Sequence, residues 1–474
     1  MINNTFFTGT TNYKPNRCFN GFTLIPARGH GALLIDMNGT PIHLWENLQG
    51  EPNKIMKGGK IFSSRGVRDK SVSHQDRIDL VKVNWDGEVE WSFDKLEFCD
   101  DPNIEPRYML RQHHDYQIEG SSFGYYSPKS EIKEDFEKVL ILCHKDVLKK
   151  KISSQILEDD ILIEVNRNDE IVWKWNASDH FNEFGFSEIA KNAIYRNPNT
   201  VDSGLHGQGD WLHINTASYV GKNKWYAAGD MRFAPDNIIM DSREANIIFI
   251  IDHKTGKIVW KIGPDYTSDS ALRIMGPIIG CHNAHIIPEG LPGAGNLLVF
   301  DNGGWAGYSL PDQVSKTGNY STRRDYSRVL EINPVTLEVV WELNPSKLGF
   351  TTVFNAHYFY SPLVCNAQRL PNGNTMVTIG CDGRIIEVTA DYEIVWDYTS
   401  PYYDNSGNNM IYRAYRVPYD YVPQATHSPE IEVTLPDCTK LNLENAIDNN
   451  IRESVSVNGT WEFGKKSSFC VEKL

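Results

Sequence analysis

No stretch of this chain approaches the roughly 20 consecutive apolar residues that cross a bilayer as a helix, so no membrane role is expected. The first ten residues, MINNTFFTGT, carry neither a basic start nor an apolar run, and no secretory signal is visible. The eight cysteines (18, 99, 143, 281, 365, 381, 438 and 470) form no CxxC pair and no disulfide framework. Reduced thiols and a cytoplasmic location are the expectation. Surplus positive charge is also missing: 47 Lys and Arg stand against 61 Asp and Glu, a net charge of −14. That excludes the basic footprint of a nucleic-acid binder, and the one basic run, Lys145–Lys151, reads as a solvated loop. Helical periodicity is scarce, with one short helix expected over Phe184–Tyr195.

What the chain does have is a phrase repeated six times: apolar strand, turn, apolar strand ending in Trp. The copies are LIDMNGTPIHLW (34–45), LVKVNWDGEVEW (80–91), IEVNRNDEIVW (163–173), IDHKTGKIVW (251–260), LEINPVTLEVVW (330–341) and IEVTADYEIVW (386–396). Alternating apolar residues around a turn of Asn, Asp, Gly or Pro make each a β-hairpin. A hairpin cannot bury its own apolar face, so regular copies pack on one another, and radial packing of four-stranded sheets is the usual solution. The fold class is therefore all-β: a six-bladed β-propeller with loop insertions on one face and a short β-rich C-terminal extension. The Trp residues recur at intervals of 46, 82, 87, 81 and 55. A bare blade takes roughly 40–50 residues, so the three middle intervals carry insertions. Residues 1–20 read as a leader, 20–423 as the propeller and 424–474 as an extension packed on it, with a strand at 431–435 and a hairpin near 458–463. The six Trp are expected in equivalent, largely buried places.

Polar residues near the first strand of each blade converge on a propeller axis, so chemistry is sought there. Four histidine-bearing phrases fit: RQHHDYQ (111–117), HGQGDWLHINT (206–216), CHNAHIIP (281–288) and NAHYFYSP (355–362). With FDNG (300–303), YSRVLEINP (326–334), AQRLPNGNT (367–375), GRIIEVT (383–389) and YRAYRVP (412–418), they resemble the bacterial arylsulfotransferase (aryl-sulfate sulfotransferase) propellers over most of 20–423. The resemblance implies sulfuryl transfer between phenols without a nucleotide donor. A His nitrogen carries the sulfuryl group, and further His and Arg residues neutralise its oxygens. By position, His213 and His282 match the family's active-site histidines. His357 and His114 complete the candidate catalytic set, and His113, Arg384, Arg413 and Asn302 are candidate substrate ligands.

Two departures stand out. Where the family tends to place an Arg after FDNG, this chain reads GWAG (304–307). Where the family's nucleophile lies, in the last full blade, the chain has Cys381-Asp-Gly-Arg384 and no His. A second reading therefore stays open: a transition-metal site of His114, His213, His282 and His285 holding one divalent Zn, Cu, Mn or Fe for hydrolase, lyase or redox chemistry. The sulfotransferase reading needs no cofactor. A third reading is a non-catalytic binding propeller. Under the enzymatic readings the partner is a small organic molecule, aromatic or anionic; subunit number is left open, a homodimer included. His30, His43, His74, His144, His180, His253 and His427 read as hydrogen-bonded structural groups. Because alternate strand residues face opposite ways, His113 and His114 are expected on opposite faces, as are His282 and His285.

Overall fold

The structure is a computed structural model that describes all residues except 1–5, 69–74, 103, 120–123, 130–134, 199–208, 305–323, 351–353, 435–454, 461–467 and 474. For 455–460 and 468–473 it gives backbone only. His74, the turn at Gly204, His206 and most of the 304–307 departure lie outside the described residues. The chain divides into two units, Met1–Val433 and Thr434–Leu474.

The first unit is a six-bladed β-propeller. Blade 2 comprises Lys54–Ile55, Ile61–Ser63, Leu80–Val83 and Val89–Phe93. Blade 3 is Gln112–Ile118, Lys138–Val147, Leu157–Asn166 and Ile171–Asn176, and blade 4 is Ile214–Tyr219, Ile238–Ser242, Ile247–Ile251 and Ile258–Ile262. Blade 5 is His282–Ile286, Leu297–Asp301, Arg328–Ile332 and Val339–Leu343. In these blades each hairpin of the repeat phrase forms the outer pair of strands. In blades 3, 4 and 5 a histidine phrase runs into or supplies the first strand, and these three first strands pack against one another, whereas the phrase at 355–362 forms the 3-10 turn Ala356–Phe359.

The ring closes twice. Blade 1 (Phe22–Ala27, Gly31–Ile35, Pro41–Glu46) takes its innermost strand, Tyr415–Val417, from the far end of the sequence. Blade 6 (Asn366–Arg369, Thr375–Ile379, Arg384–Val388, Ile394–Thr399) gains a fifth, outermost strand, Gly9–Tyr13, from within the expected leader. The hydrophobic core lies between blades. In Ile247–Ile251, Ile247, Phe249 and Ile251 pack in the cluster shared with blade 3, whereas Ile248 and Ile250 pack in the one shared with blade 5. A strand buried on both faces needs a continuous apolar run, which explains IIFII in the sequence.

The repeat Trp residues join neighbouring blades. Each indole N–H donates to the hairpin turn of the next blade: Trp45 to Asn84 O (2.9 Å), Trp91 to Asp169 Oδ1 (3.0 Å) and Trp173 to His253 O (3.1 Å). Trp260 donates to Pro334 O (2.8 Å), Trp341 to Ala390 O (3.2 Å), and Trp396 closes the circle on Met37 O (2.7 Å). Their places are equivalent, but their burial is not. Trp45, Trp260 and Trp396 are buried, while Trp91, Trp173 and Trp341 stay partly exposed because the outer strand has one solvent-facing side.

The expected helix is present as Glu188–Arg196, capped by Ser187, whose hydroxyl accepts from Ala190 N–H. Among its described residues the second unit contains an antiparallel pair, Val455–Thr460 with Ser468–Lys473. The expected strand at 431–435 reduces among its described residues to a single bridge, Val433 with Tyr13. No helix among the described residues is long and apolar enough to cross a membrane.

Candidate active site

The first strands of blades 3, 4 and 5 share a distortion. Their pairing slips between Gln112 and Tyr116, between Ile214 and Thr216, and between His282 and His285. His114 (φ 54°), His213 (φ 52°) and Asn283 (φ 63°) sit in the left-handed region there. Such backbone costs non-glycine residues about 1–3 kcal/mol each and collects at functional sites. His114, His213 and His282 open onto one cavity of about 600 Å³, together with Gln75, Arg77 and Arg243.

The two ring nitrogens of each imidazole are differently engaged. His213 Nδ1 lies 2.6 Å from Asp210 Oδ2, so Nδ1 carries the proton, and Nε2 meets the Gln75 amide nitrogen at 3.2 Å as acceptor. Its partner Asp210 is held by a close backbone approach. Gly209, at φ +98°, accepts from Glu158 N–H at 2.9 Å, and a β-carbon at 209 would lie 2.2 Å from Ile156 O. His282 Nδ1 faces two acceptors, Asn302 Oδ1 (2.8 Å) and Gly280 O (3.1 Å), while Nε2 accepts from Val364 N–H (3.2 Å). Both nitrogens of His282 are thus occupied. His114 Nδ1 lies 2.8 Å from His113 Nδ1, which leaves Nε2 as the nitrogen available to the cavity.

Burial pushes His282 well below the usual imidazole range, and the Arg243 guanidinium pushes it further. His114 is also held well below that range, by burial first and by His213 and His113 next. Both rings are neutral near pH 7. Arg243 is buried on the cavity wall and ion-paired to Glu244 at 2.7 Å. It reaches that wall from the blade neighbouring FDNG. The signal was present in the repeat: Arg243 directly follows the second strand of blade 4, as Asn302 follows that of blade 5.

Other expected residues lie elsewhere. His357 is exposed in a single 3-10 turn against Tyr358, away from the cavity lining. Arg384 is taken up by Asp397 (2.9 and 2.6 Å) and by the ring of Phe6. Arg413 is fully buried, binding Asp115 (3.1 Å), Asn215 O (2.6 Å) and Thr216 Oγ1 (3.0 Å), and so joins the first strands of blades 3 and 4. Asn302 contacts His282 and ties it to Ser361 O and Val364 O. His285 does not line the cavity; its Nδ1 lies 2.9 Å from Asn283 O and its ring stacks on Tyr125 at 4.0 Å. His113 departs from expectation, because the left-handed residue at 114 breaks the alternation and brings both rings together. Cys381, in the last-blade segment that carries no His, donates its N–H to Ser361 Oγ, and burial raises its thiol. It is therefore no ready nucleophile.

Among the described residues, the groupings with close ligand atoms are His113–His144–Asp160 and Asp76–His144–Glu158, and the imidazoles of His114, His213, His282 and His285 are not among them. In the first, the His113 and His144 rings stack at 3.5 Å with planes 12° apart. Lone pairs lying in parallel planes cannot both aim at an ion about 2.0–2.1 Å away. In the second, Arg111 already occupies the carboxylates, at 2.7 Å from Asp76 and 2.9 Å from Glu158. His144, expected as a structural group, donates to Asp76 there (2.7 Å).

The profile of the family described as arylsulfotransferase (ASST) matches residues 111–413, well over half of the sequence. The chain belongs to the arylsulfotransferase family. Membership makes it a sulfotransferase-like transferase. No curated protein matches it. Similar solved structures include a Bacteroides caccae protein of unknown function, 12% identical over 83% of this chain and 98% of that one, with a TM-score of 0.42. Saccharomyces cerevisiae Sqt1 is 8% identical (84% and 90% covered, TM-score 0.34). A putative 6-phosphogluconolactonase from Bacteroides fragilis is 10% identical (85% and 99% covered, TM-score 0.34).

Proposed function

We propose that this arylsulfotransferase-family protein moves a sulfuryl group from an aryl sulfate to an acceptor hydroxyl, with His213 Nε2 as the attacking atom. The observation that carries this is the Asp210–His213 pair at 2.6 Å, opening on the cavity shared with His114, His282 and Arg243. A carboxylate on Nδ1 fixes the tautomer whose Nε2 lone pair attacks, and it stabilises the positive charge that the ring gains when Nε2 bonds to sulfur. Gln75 would yield its place on Nε2 to the sulfuryl group. Arg243 neutralises the sulfuryl oxygens, a task worth most in a dry site. His282, bonded at both nitrogens, shapes the wall and positions Val364. His114 handles the proton of the leaving or entering phenol.

In this reading Asn302 and His113 act through His282 and His114, whereas Arg384, Arg413 and His357 take no part. No metal is required, and the partner is a small aromatic sulfate. A cytoplasmic location remains part of the proposal, supported by the six described cysteines, all free thiols. The test is transfer from 4-nitrophenyl sulfate to phenol. His213→Ala should abolish it, a sulfuryl adduct should be trapped on His213 when acceptor is withheld, and chelator should leave the rate unchanged. Activity lost to chelator and restored by one divalent metal would replace this reading with the metal-dependent one.

A further inference from the structure

Behind the cavity, a line of buried groups that the transfer step does not use runs into blade 3. His114 Nδ1 meets His113 Nδ1 at 2.8 Å, and His113 Nε2 lies 3.3 Å from Asp160 Oδ1. His113 and Asp160 are fully buried. Among the described residues neither His113 Nε2 nor Asp160 Oδ2 has a hydrogen-bond partner, and Asp160 Oδ1 accepts the Ile214 N–H, next to His213 (3.2 Å), with His144 Nε2 at 3.9 Å. Two imidazoles facing each other through Nδ1 can share one proton in either direction, and whichever ring donates there fixes the state of both outer nitrogens.

We propose that Asp160 is a proton depot for the transfer reaction, connected to the cavity through His113 and His114. This rests on the sulfuryl-transfer reading above. Before the first half-reaction Asp160 holds a proton directed at His113 Nε2, His113 Nδ1–H donates to His114 Nδ1, and His114 Nε2–H faces the aryl oxygen. As the S–N bond to His213 forms and the S–O bond to the aryl group breaks, the departing oxygen takes the His114 proton. His114 Nδ1 takes the one on His113 Nδ1, and His113 Nε2 takes the one on Asp160, leaving a carboxylate. In the second half-reaction the acceptor O–H gives its proton to His114 Nε2, and each shift reverses while S–N breaks and S–O forms. Protons balance over the cycle and neither ring becomes an imidazolium.

The surroundings suit this. Stacked on His113 is His144, which Glu158 and Asp76 hold protonated against the pull of burial, up to about 10. A cation on one face keeps His113 neutral, and burial with His144 depresses it well below the usual range. Asp160 is raised well above ordinary carboxyls by burial; the His144 charge opposes this, while Asp210 and Asp159 add to it. Around His114 the titrating neighbours are His213, His113, His282 and His144. A carboxyl that burial makes hold its proton more tightly than an ordinary one is what a depot requires.

The experiment compares two donors in the first turnover, without acceptor, for the wild type and Asp160→Asn. Phenyl sulfate releases a strongly basic phenolate that needs a proton; 4-nitrophenyl sulfate releases a weak base that does not. The variant should lose about 100-fold on phenyl sulfate, the scale of general acid catalysis, and less than about tenfold on 4-nitrophenyl sulfate. Equal loss on both donors, or loss on neither, overturns the proposal, since a merely structural role cannot distinguish leaving groups. Wild-type protein inactive on both donors would instead overturn the transfer reading. The relay then stands or falls on ¹⁵N NMR of the full chain: a coupling through the hydrogen bond between the two Nδ1 atoms, with His113 neutral, supports it. Absence of that coupling, or an imidazolium at His113, refutes it.

Discussion

Asp210→Asn tests the pairing on which the proposed chemistry depends, because it removes one charge and almost no volume. In the wild type the carboxylate takes the Nδ1 proton of His213 at 2.6 Å in a fully buried setting. While the sulfuryl group sits on Nε2 the ring is cationic, so the contact becomes a charge-assisted hydrogen bond. Such a bond contributes about 1.5–3 kcal/mol against about 1 kcal/mol for a neutral one. The pair's Coulomb attraction at an effective dielectric of about 20 adds a few kcal/mol, partly offset by the desolvation already incurred. An Asn can also present its amide to Nδ1, favouring the tautomer with a protonated, non-nucleophilic Nε2. The corresponding change in a Ser-His-Asp triad lowers kcat by about 10⁴. For Asp210→Asn we expect kcat/KM with 4-nitrophenyl sulfate to fall by about 10²–10⁴, with the 4-nitrophenolate burst slowed in proportion. A folded variant within about threefold of the wild type would refute His213 as the attacking atom, since a threefold change is only about 0.65 kcal/mol.

Arg243→Ala should lower kcat by about 10²-fold, as the loss of one preorganised charge partner does, with Arg243→Lys recovering part of it in steady-state assays. Trp396→Phe keeps the ring but not the bond to Met37 O and should cost about 1 kcal/mol in urea unfolding, whereas Trp396→Ala should cost about 3–5 kcal/mol. Equal effects would show that the indole N–H is irrelevant. Stability should fall on both sides of neutrality in thermal melts. His113, His114, His282 and His285 (about 4) are depressed, so their contribution is present above the unfolded value of 6.5 and lost as pH falls below it. His144, raised to about 10, contributes below 6.5 and its share is lost as pH climbs to about 10, so His144→Gln should flatten the alkaline limb alone.

The blades were legible because hairpin periodicity and the Trp spacing are local facts, and the core obeys them. The Trp-to-turn bonds were not, since they link residues as far apart as Trp396 and Met37. Closure escaped for the same reason: Gly9–Tyr13 and Tyr415–Val417 look like short end segments until paired with Ile394–Thr399 and Phe22–Ala27. His213 and His282 were found through the family phrases, and the cavity holds both. Arg243 was not legible from the family phrase in blade 5, although the repeat places it in blade 4 at the position equivalent to Asn302. Arg384 and Arg413 looked like free cations, yet each is taken up by a carboxylate distant in sequence or nearly so, Asp397 and Asp115.

The remaining failure carries the most chemistry. Strand alternation assigns His113 and His114 to opposite faces, and a sequence reader has no reason to suspend that rule. A single φ of 54° at His114 suspends it, turning two separate rings into a pair 2.8 Å apart through Nδ1. The same left-handed step recurs at His213 in blade 4, where it again coincides with a ring nitrogen held from behind, by Asp210. A regular strand would expose one face of each histidine and leave its tautomer to solvent. The bulge instead directs one nitrogen inward to a fixed partner and leaves the other for the cavity. Backbone strain at His114 and His213 thus accompanies the pairing that sets which nitrogen carries a proton, and the proposed division of labour between the two follows from it.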